Sequence, residues 1–106
     1  MVLWIGFDLQ AEIEAGDGNN LTALHLAAYY GKEAVAAQLL QAGASVSAVD
    51  DGGLTPLHWA ADNGKSSIAN LLLQANASPT AVDNGGDTPA QDAKQQDHGD
   101  LAAMLL

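Results

Sequence analysis

The chain has 106 residues, with 13 acidic against 3 basic side chains, a formal charge of -10 and no cysteine. That length holds one small domain, the missing cysteines exclude a disulfide framework, and no apolar run approaches the roughly 18 residues of a membrane span. With only Lys32, Lys65 and Lys94 set against the acids, the surface repels phosphate backbones and anionic lipid, so neither nucleic acid nor a membrane is expected as a partner. Hydrophobic residues make up 48% but aromatics only 5%, so the core is expected to be built from Ala, Leu and Val, a composition that suits close-packed helices.

Residues 1–7 are almost entirely apolar, from Met1 to Phe7. A secretory signal is not supported, because no Lys or Arg precedes the stretch and Asp8 follows it without cleavage-site context. The segment is expected to cover an open end of the fold or to serve as a self-association patch.

Beyond it the chain repeats itself. A shift of 33 residues places Thr22 on Thr55 and Thr88, Leu24 on Leu57, His25 on His58, and Ala27 on Ala60 and Ala93. The match runs on through Gly31 and Gly64, Lys32 and Lys65, and the Leu39-Leu40 and Leu72-Leu73 pairs, with about half of all positions identical between the two complete copies. The boundaries read as a partial repeat at 1–16, complete repeats at 17–49 and 50–82, and a partial C-terminal repeat at 83–106, together one domain over 1–106.

Each copy carries the same local signals. Thr22, Thr55 and Thr88 are helix N-caps, and Pro56 and Pro89 take the first helical position, where a missing amide hydrogen does no harm. Each first helix can run about eight residues before Gly31 or Gly64 ends it. A second apolar-periodic stretch follows, Val35-Leu39-Leu40 or Ile68-Leu72-Leu73, and predicts an antiparallel partner helix. It should end at Gly43 or Asn76, the residue types that best tolerate a left-handed backbone. Between copies, Asp50-Asp51-Gly52-Gly53 and Asp83-Asn84-Gly85-Gly86 carry turn chemistry with short extended arms, which predicts projecting hairpin-like loops. Ala27-Ala28 and Ala60-Ala61 let first helices approach closely, and the second-helix leucines supply buried area. One such unit cannot close its own core, so stability must come from stacking.

With Leu54-Thr55-Pro56-Leu57-His58-Trp59-Ala60-Ala61, the Gly64 turn, Leu72-Leu73 and the loop at 50–53, the chain resembles the ankyrin-repeat family over about residues 10–106. The first copy departs at Asn20 and Ala23, and the third at Ala90, Gln91 and Asp97, which gives the third the look of a C-terminal cap. The resemblance implies an all-α repeat solenoid of ankyrin-type helix-turn-helix units with projecting β-hairpin-like loops. Its concave face is formed by loop tips and first helices, and it binds other proteins. Carried over position by position, the groove residues are Leu21, Tyr29 and Tyr30 in the first copy, with Gly18 and Asn19 beside them. In the second they are Asp51, Gly52, Leu54, Trp59, Asp62 and Asn63, and in the third Asn84, Gly85, Asp87, Gln95 and Gln96.

Tyr29, Tyr30 and Trp59 are three of the five aromatic residues and sit in the first helices, where they can act as interface anchors. Trp59 has a second reading, in which it fills inter-repeat core at the place of Leu26. Asp51, Asp62 and Asp87 would steer a basic, or mixed basic and apolar, partner; equally, acidic loops confer solubility.

Chemistry beyond binding has little support. His25 and His58 stand one repeat apart, where the family uses histidine to hold the neighbouring loop backbone. His98 lies between Asp97 and Asp100 in a polar stretch and is expected in solvent. The Asp-Gly-Asn loops lack the closing glutamate of a calcium loop, and no phosphate-cradling loop or histidine-activated nucleophile is evident. No catalytic residue, cofactor or metal is expected. The leading function is therefore a non-enzymatic protein-interaction module, an adaptor or inhibitor. The alternatives are a designed, ancestral or excised scaffold without a dedicated partner, and a self-associating module. The family's habit points to an intracellular setting, cytoplasmic or nuclear, which the residues themselves do not decide.

Overall fold

The computed structural model describes residues 21–105; residues 1–7, the 1–16 partial repeat, Gly18 and Asn19 lie outside that range. Among the described residues there are six helices and no strand: α1 (Ala23–Tyr30), α2 (Glu33–Gln41), α3 (Pro56–Asp62), α4 (Ser66–Gln74), α5 (Pro89–Gln95) and α6 (Gly99–Met104).

The first helix of each pair starts as its sequence predicts. Thr22, Thr55 and Thr88 are extended N-caps whose hydroxyls accept from the backbone N–H of His25, His58 and Gln91, and those three side chains accept the threonine N–H in return. Two otherwise orphaned donors are satisfied at each start. The stops also recur. Gly31 and Gly64 are left-handed at φ +70° and +68°, and Asp97 takes the same conformation at φ +67° in the third copy. Gly43 and Asn76 follow the second helices at φ +92° and +71°.

The helices stack in two rows, α1 on α3 on α5 in front and α2 on α4 behind, with α6 packed on α5. Ala28, Ala60, Ala61 and Ala93 are fully buried where the first helices meet, alongside buried Leu24 and Leu57. From the second helices come Leu39, Ile68, Leu72 and Leu101, with Leu105 just past the end of α6, whereas Leu40 and Leu73 are only partly buried against that core. Small residues set the spacing and leucines fill it, each fully buried one worth roughly 1.5–3 kcal/mol.

Neighbouring units also touch through their turns. The Lys65 stem lies over Gly31, with Cδ 3.2 Å from where a Cβ would stand, and the His98 ring occupies the equivalent place over Gly64, with Cε1 at 2.7 Å. His98 is thus half-buried against the preceding turn rather than in solvent, because the repeat puts it in the register of Lys65.

The loops are hairpin-like in their bonding. Asp50 N–H donates to Leu54 O at 3.1 Å and Gly53 N–H to Asp50 O at 3.0 Å, and Asp83, Asp87 and Gly86 repeat the pattern at 2.9 Å each. One loop then ties to the next: Asn84 N–H donates to Gly52 O at 2.9 Å, and its side-chain amide to Asp51 O at 3.0 Å.

Candidate functional site

Buried histidines anchor α1 and α3 to the loop that follows each. Thr55 N–H can only donate, so His58 Nδ1 accepts at 3.1 Å, and the ring proton on Nε2 is left to donate to Asp87 O at 2.9 Å. His25 does the same between Thr22 N–H at 3.1 Å and Leu54 O at 2.8 Å. These bonds hold the loops at a fixed pitch relative to the helices, so the exposed side chains of α1, α3 and α5 share one preorganised face with the loop arms.

On that face α1 presents Leu26, Tyr29 and Tyr30, exposed to 40%, 41% and 63%. Leu26 is therefore not inter-repeat core. Tyr29 packs edge-on against Tyr30, with centroids 4.7 Å apart, and against Trp59 at 5.4 Å. Trp59 is half-buried against the core and carries the ring row on from Tyr29. Its Nε1–H donates to Asp50 Oδ2 at 2.8 Å, while Asp50 Oδ1 accepts from Gly52 and Leu54 N–H at 2.9 Å.

The third copy breaks that arrangement. Asp83 Oδ1 accepts from Gly85 and Asp87 N–H just as Asp50 does from its loop. At the position of Trp59, however, stands Asp92, which brings a carboxylate where the second copy supplies an indole donor and the first a leucine, Leu26. Asp92 is 7% exposed and its Oδ2 is buried without a hydrogen-bond partner among the described residues. Burial pushes its carboxyl up to about 6; His58 pulls the other way, and Asp83, Asp87 and Asp62 add to the rise. Asp92 forms the floor of a cavity of about 240 Å³ whose other walls are Leu54, His58, Trp59 and Asp62.

His58, Asp83 and Asp92 bring ligand-type atoms within 4.8 Å of one another. This group does not suit a metal. Both His58 nitrogens are spent, one accepting from Thr55 N–H and the other donating to Asp87 O, so the imidazole has no lone pair for an ion.

The sequence-selected residues fall into three groups. Tyr29, Tyr30, Trp59, Leu54 and Asp62 gather around the aromatic row and the cavity, with Leu54 and Trp59 half-buried and Asp62 exposed. Asn63 and Asn84 have side-chain amides engaged within the fold, donating to Trp59 O at 2.8 Å and to Asp51 O at 3.0 Å. Leu21 is half-buried ahead of α1, Asp51 is exposed on its loop, and Asp87 lends its carbonyl to His58 and accepts from Gln95 Nε2 at 3.4 Å. Asp92 was not among the selected residues. Its signal was present in the 33-residue alignment, as an acid beneath Leu26 and Trp59.

The sequence matches the family described as ankyrin repeats (3 copies) over residues 3–83 and again over 50–106. The chain belongs to the ankyrin-repeat family. Ankyrin repeats are generally protein-interaction modules and typically not enzymes, which agrees with a face whose buried histidines are structural. No curated protein matches the sequence. Among the described residues, no helix of this ankyrin-repeat chain is long and apolar enough to cross a membrane.

Proposed function

We propose that the chain is a non-enzymatic recognition module that docks a partner protein on its concave loop and first-helix face, as an adaptor or inhibitor. The observation that carries this reading is a gradient along three equivalent positions of the front helices. They read Leu26, Tyr29 and Tyr30 on α1, then Trp59 and Asp62 on α3 with its C-cap Asn63, then Asp92 and Gln95 on α5 with its C-cap Gln96. One end of the face is aromatic and the other polar and acidic, so a partner that is apolar at one end and basic at the other is the complementary surface.

Tyr and Trp make good anchors because they bring large contact area at small entropic cost, and edge-on packing already sets Tyr29 against both Tyr30 and Trp59. The acids contribute mainly to encounter rate and orientation, which makes association sensitive to salt. The experiment is affinity capture with the wild-type chain and with Tyr29→Ala combined with Trp59→Ala. Loss of partner recovery in the double variant, with the helical signal retained, is the expected result; full recovery would discard these anchors.

A further inference from the structure

We propose that the cavity formed by Leu54, His58, Trp59, Asp62 and Asp92 is a receptor for a single cationic side chain, an arginine of the partner protein, and that Asp92 is its charge-reading floor. The assignment rests on the docking-face reading above and names the chemistry of one contact within it.

Three observations converge here. First, Asp92 Oδ2 is buried and accepts no hydrogen bond from any described residue, an arrangement that favours a donor arriving from outside. In the preceding copy the corresponding place is self-satisfied, since Trp59 Nε1–H donates to Asp50 at 2.8 Å. The third copy lacks an internal donor at the one place where the second copy supplies it.

Second, the walls match the parts of an arginine. Leu54 and Trp59 offer apolar and aromatic surface for the aliphatic stem and the flat guanidinium face, while Asp92 at the floor and exposed Asp62 at the rim accept its N–H donors. A guanidinium presents several donors in one plane and can reach two carboxylates together, which a compact ammonium does less well. Third, the charge is unbalanced. Asp83, Asp87 and Asp62 act on Asp92 with one sign and His58 with the other, and an entering cation relieves the repulsion among the carboxylates. His58 does not compete for the guest, because its Nε2–H is bonded to Asp87 O.

The test needs no knowledge of the partner. Nα-acetyl-arginine amide and its neutral isostere, Nα-acetyl-citrulline amide, are titrated into the 15N-labelled chain and followed by NMR. The arginine probe is expected to give saturable shifts at the Trp59 indole N–H and the Asp62 and Asp92 amides, with a dissociation constant on the order of 1 mM. The citrulline probe should leave them in place. Asp92→Asn keeps the shape and removes the charge, and should weaken binding by about tenfold or more. Asp100→Asn, the same charge change at an exposed site on α6 outside the cavity, should leave binding unaltered.

The assignment is overturned if no saturable shift occurs, if citrulline shifts the same resonances equally, or if Asp100→Asn weakens binding as much as Asp92→Asn. Any of these results leaves the docking face itself to be judged separately, by partner recovery with the Tyr29 and Trp59 variants.

Discussion

Asp92 stands 33 residues after Trp59, at the same point of the next front helix, and replaces an indole that donates to Asp50 with a carboxylate near Asp83 that can donate to nothing when ionised. A fold that repeats its geometry but changes one side chain has thereby turned an internal hydrogen bond into an unsatisfied acceptor. The consequences extend to stability, to pH and to recognition.

The pH dependence has a definite sign. Asp92 binds its proton more tightly in the folded chain, at about 6, than the ordinary 3.8 of the unfolded one. Its neutral form is therefore favoured by folding: the contribution is fully present below the unfolded value and is lost as pH rises through the folded one. Thermal unfolding from pH 4 to 7 should show a fall in stability that Asp92→Asn removes, and at pH 7 the variant should be more stable by about 1–2 kcal/mol. An unchanged pH profile in the variant would refute this account of the carboxyl.

Removing a histidine strut should be costly. His58→Ala leaves Thr55 N–H and the Asp87 carbonyl without their partner and opens a void at a fully buried site, a combined loss of about 2–4 kcal/mol. Urea unfolding measures it. Because the same residue joins α3 to the next loop, amide hydrogen exchange should also accelerate across residues 83–87 in the variant.

Two glycines at equivalent repeat positions separate backbone strain from stacking. Gly53 and Gly86 both have positive φ, +78° and +85°, so either alanine variant meets the left-handed penalty of about 1 kcal/mol. At Gly86 a Cβ meets nothing within 4 Å, whereas at Gly53 it would lie 2.9 Å from the Asn84 backbone nitrogen, which donates to Gly52 O. Gly53→Ala should therefore lower the urea midpoint clearly more than Gly86→Ala. Equal effects would show that the loop-to-loop contact contributes nothing.

Much of this fold was legible in the residues. The three threonine caps, the prolines after two of them and the left-handed stops at Gly43 and Asn76 are local, so spacing alone placed them. The His98 ring against Gly64 and the exposure of Leu26 were not legible in the same way, because each depends on which side chain a neighbouring unit happens to present. The acidic loops illustrate the same limit. Asp50 looks like a surface charge in composition, yet it is buried to organise its own loop and hold Trp59. The unsatisfied carboxylate of Asp92 needed both the alignment and the third dimension.

The central claim is that recognition occurs on the front-helix face, and site-specific photocrosslinking tests it most directly. A photoreactive phenylalanine analogue is placed at Tyr30, on the exposed aromatic end, or at Asn70, exposed on α4 in the rear row. The account predicts a crosslinked partner protein from position 30 and none from position 70, with the adduct diminished by Trp59→Ala. Adducts from position 70 that equal or exceed those from position 30 would contradict it.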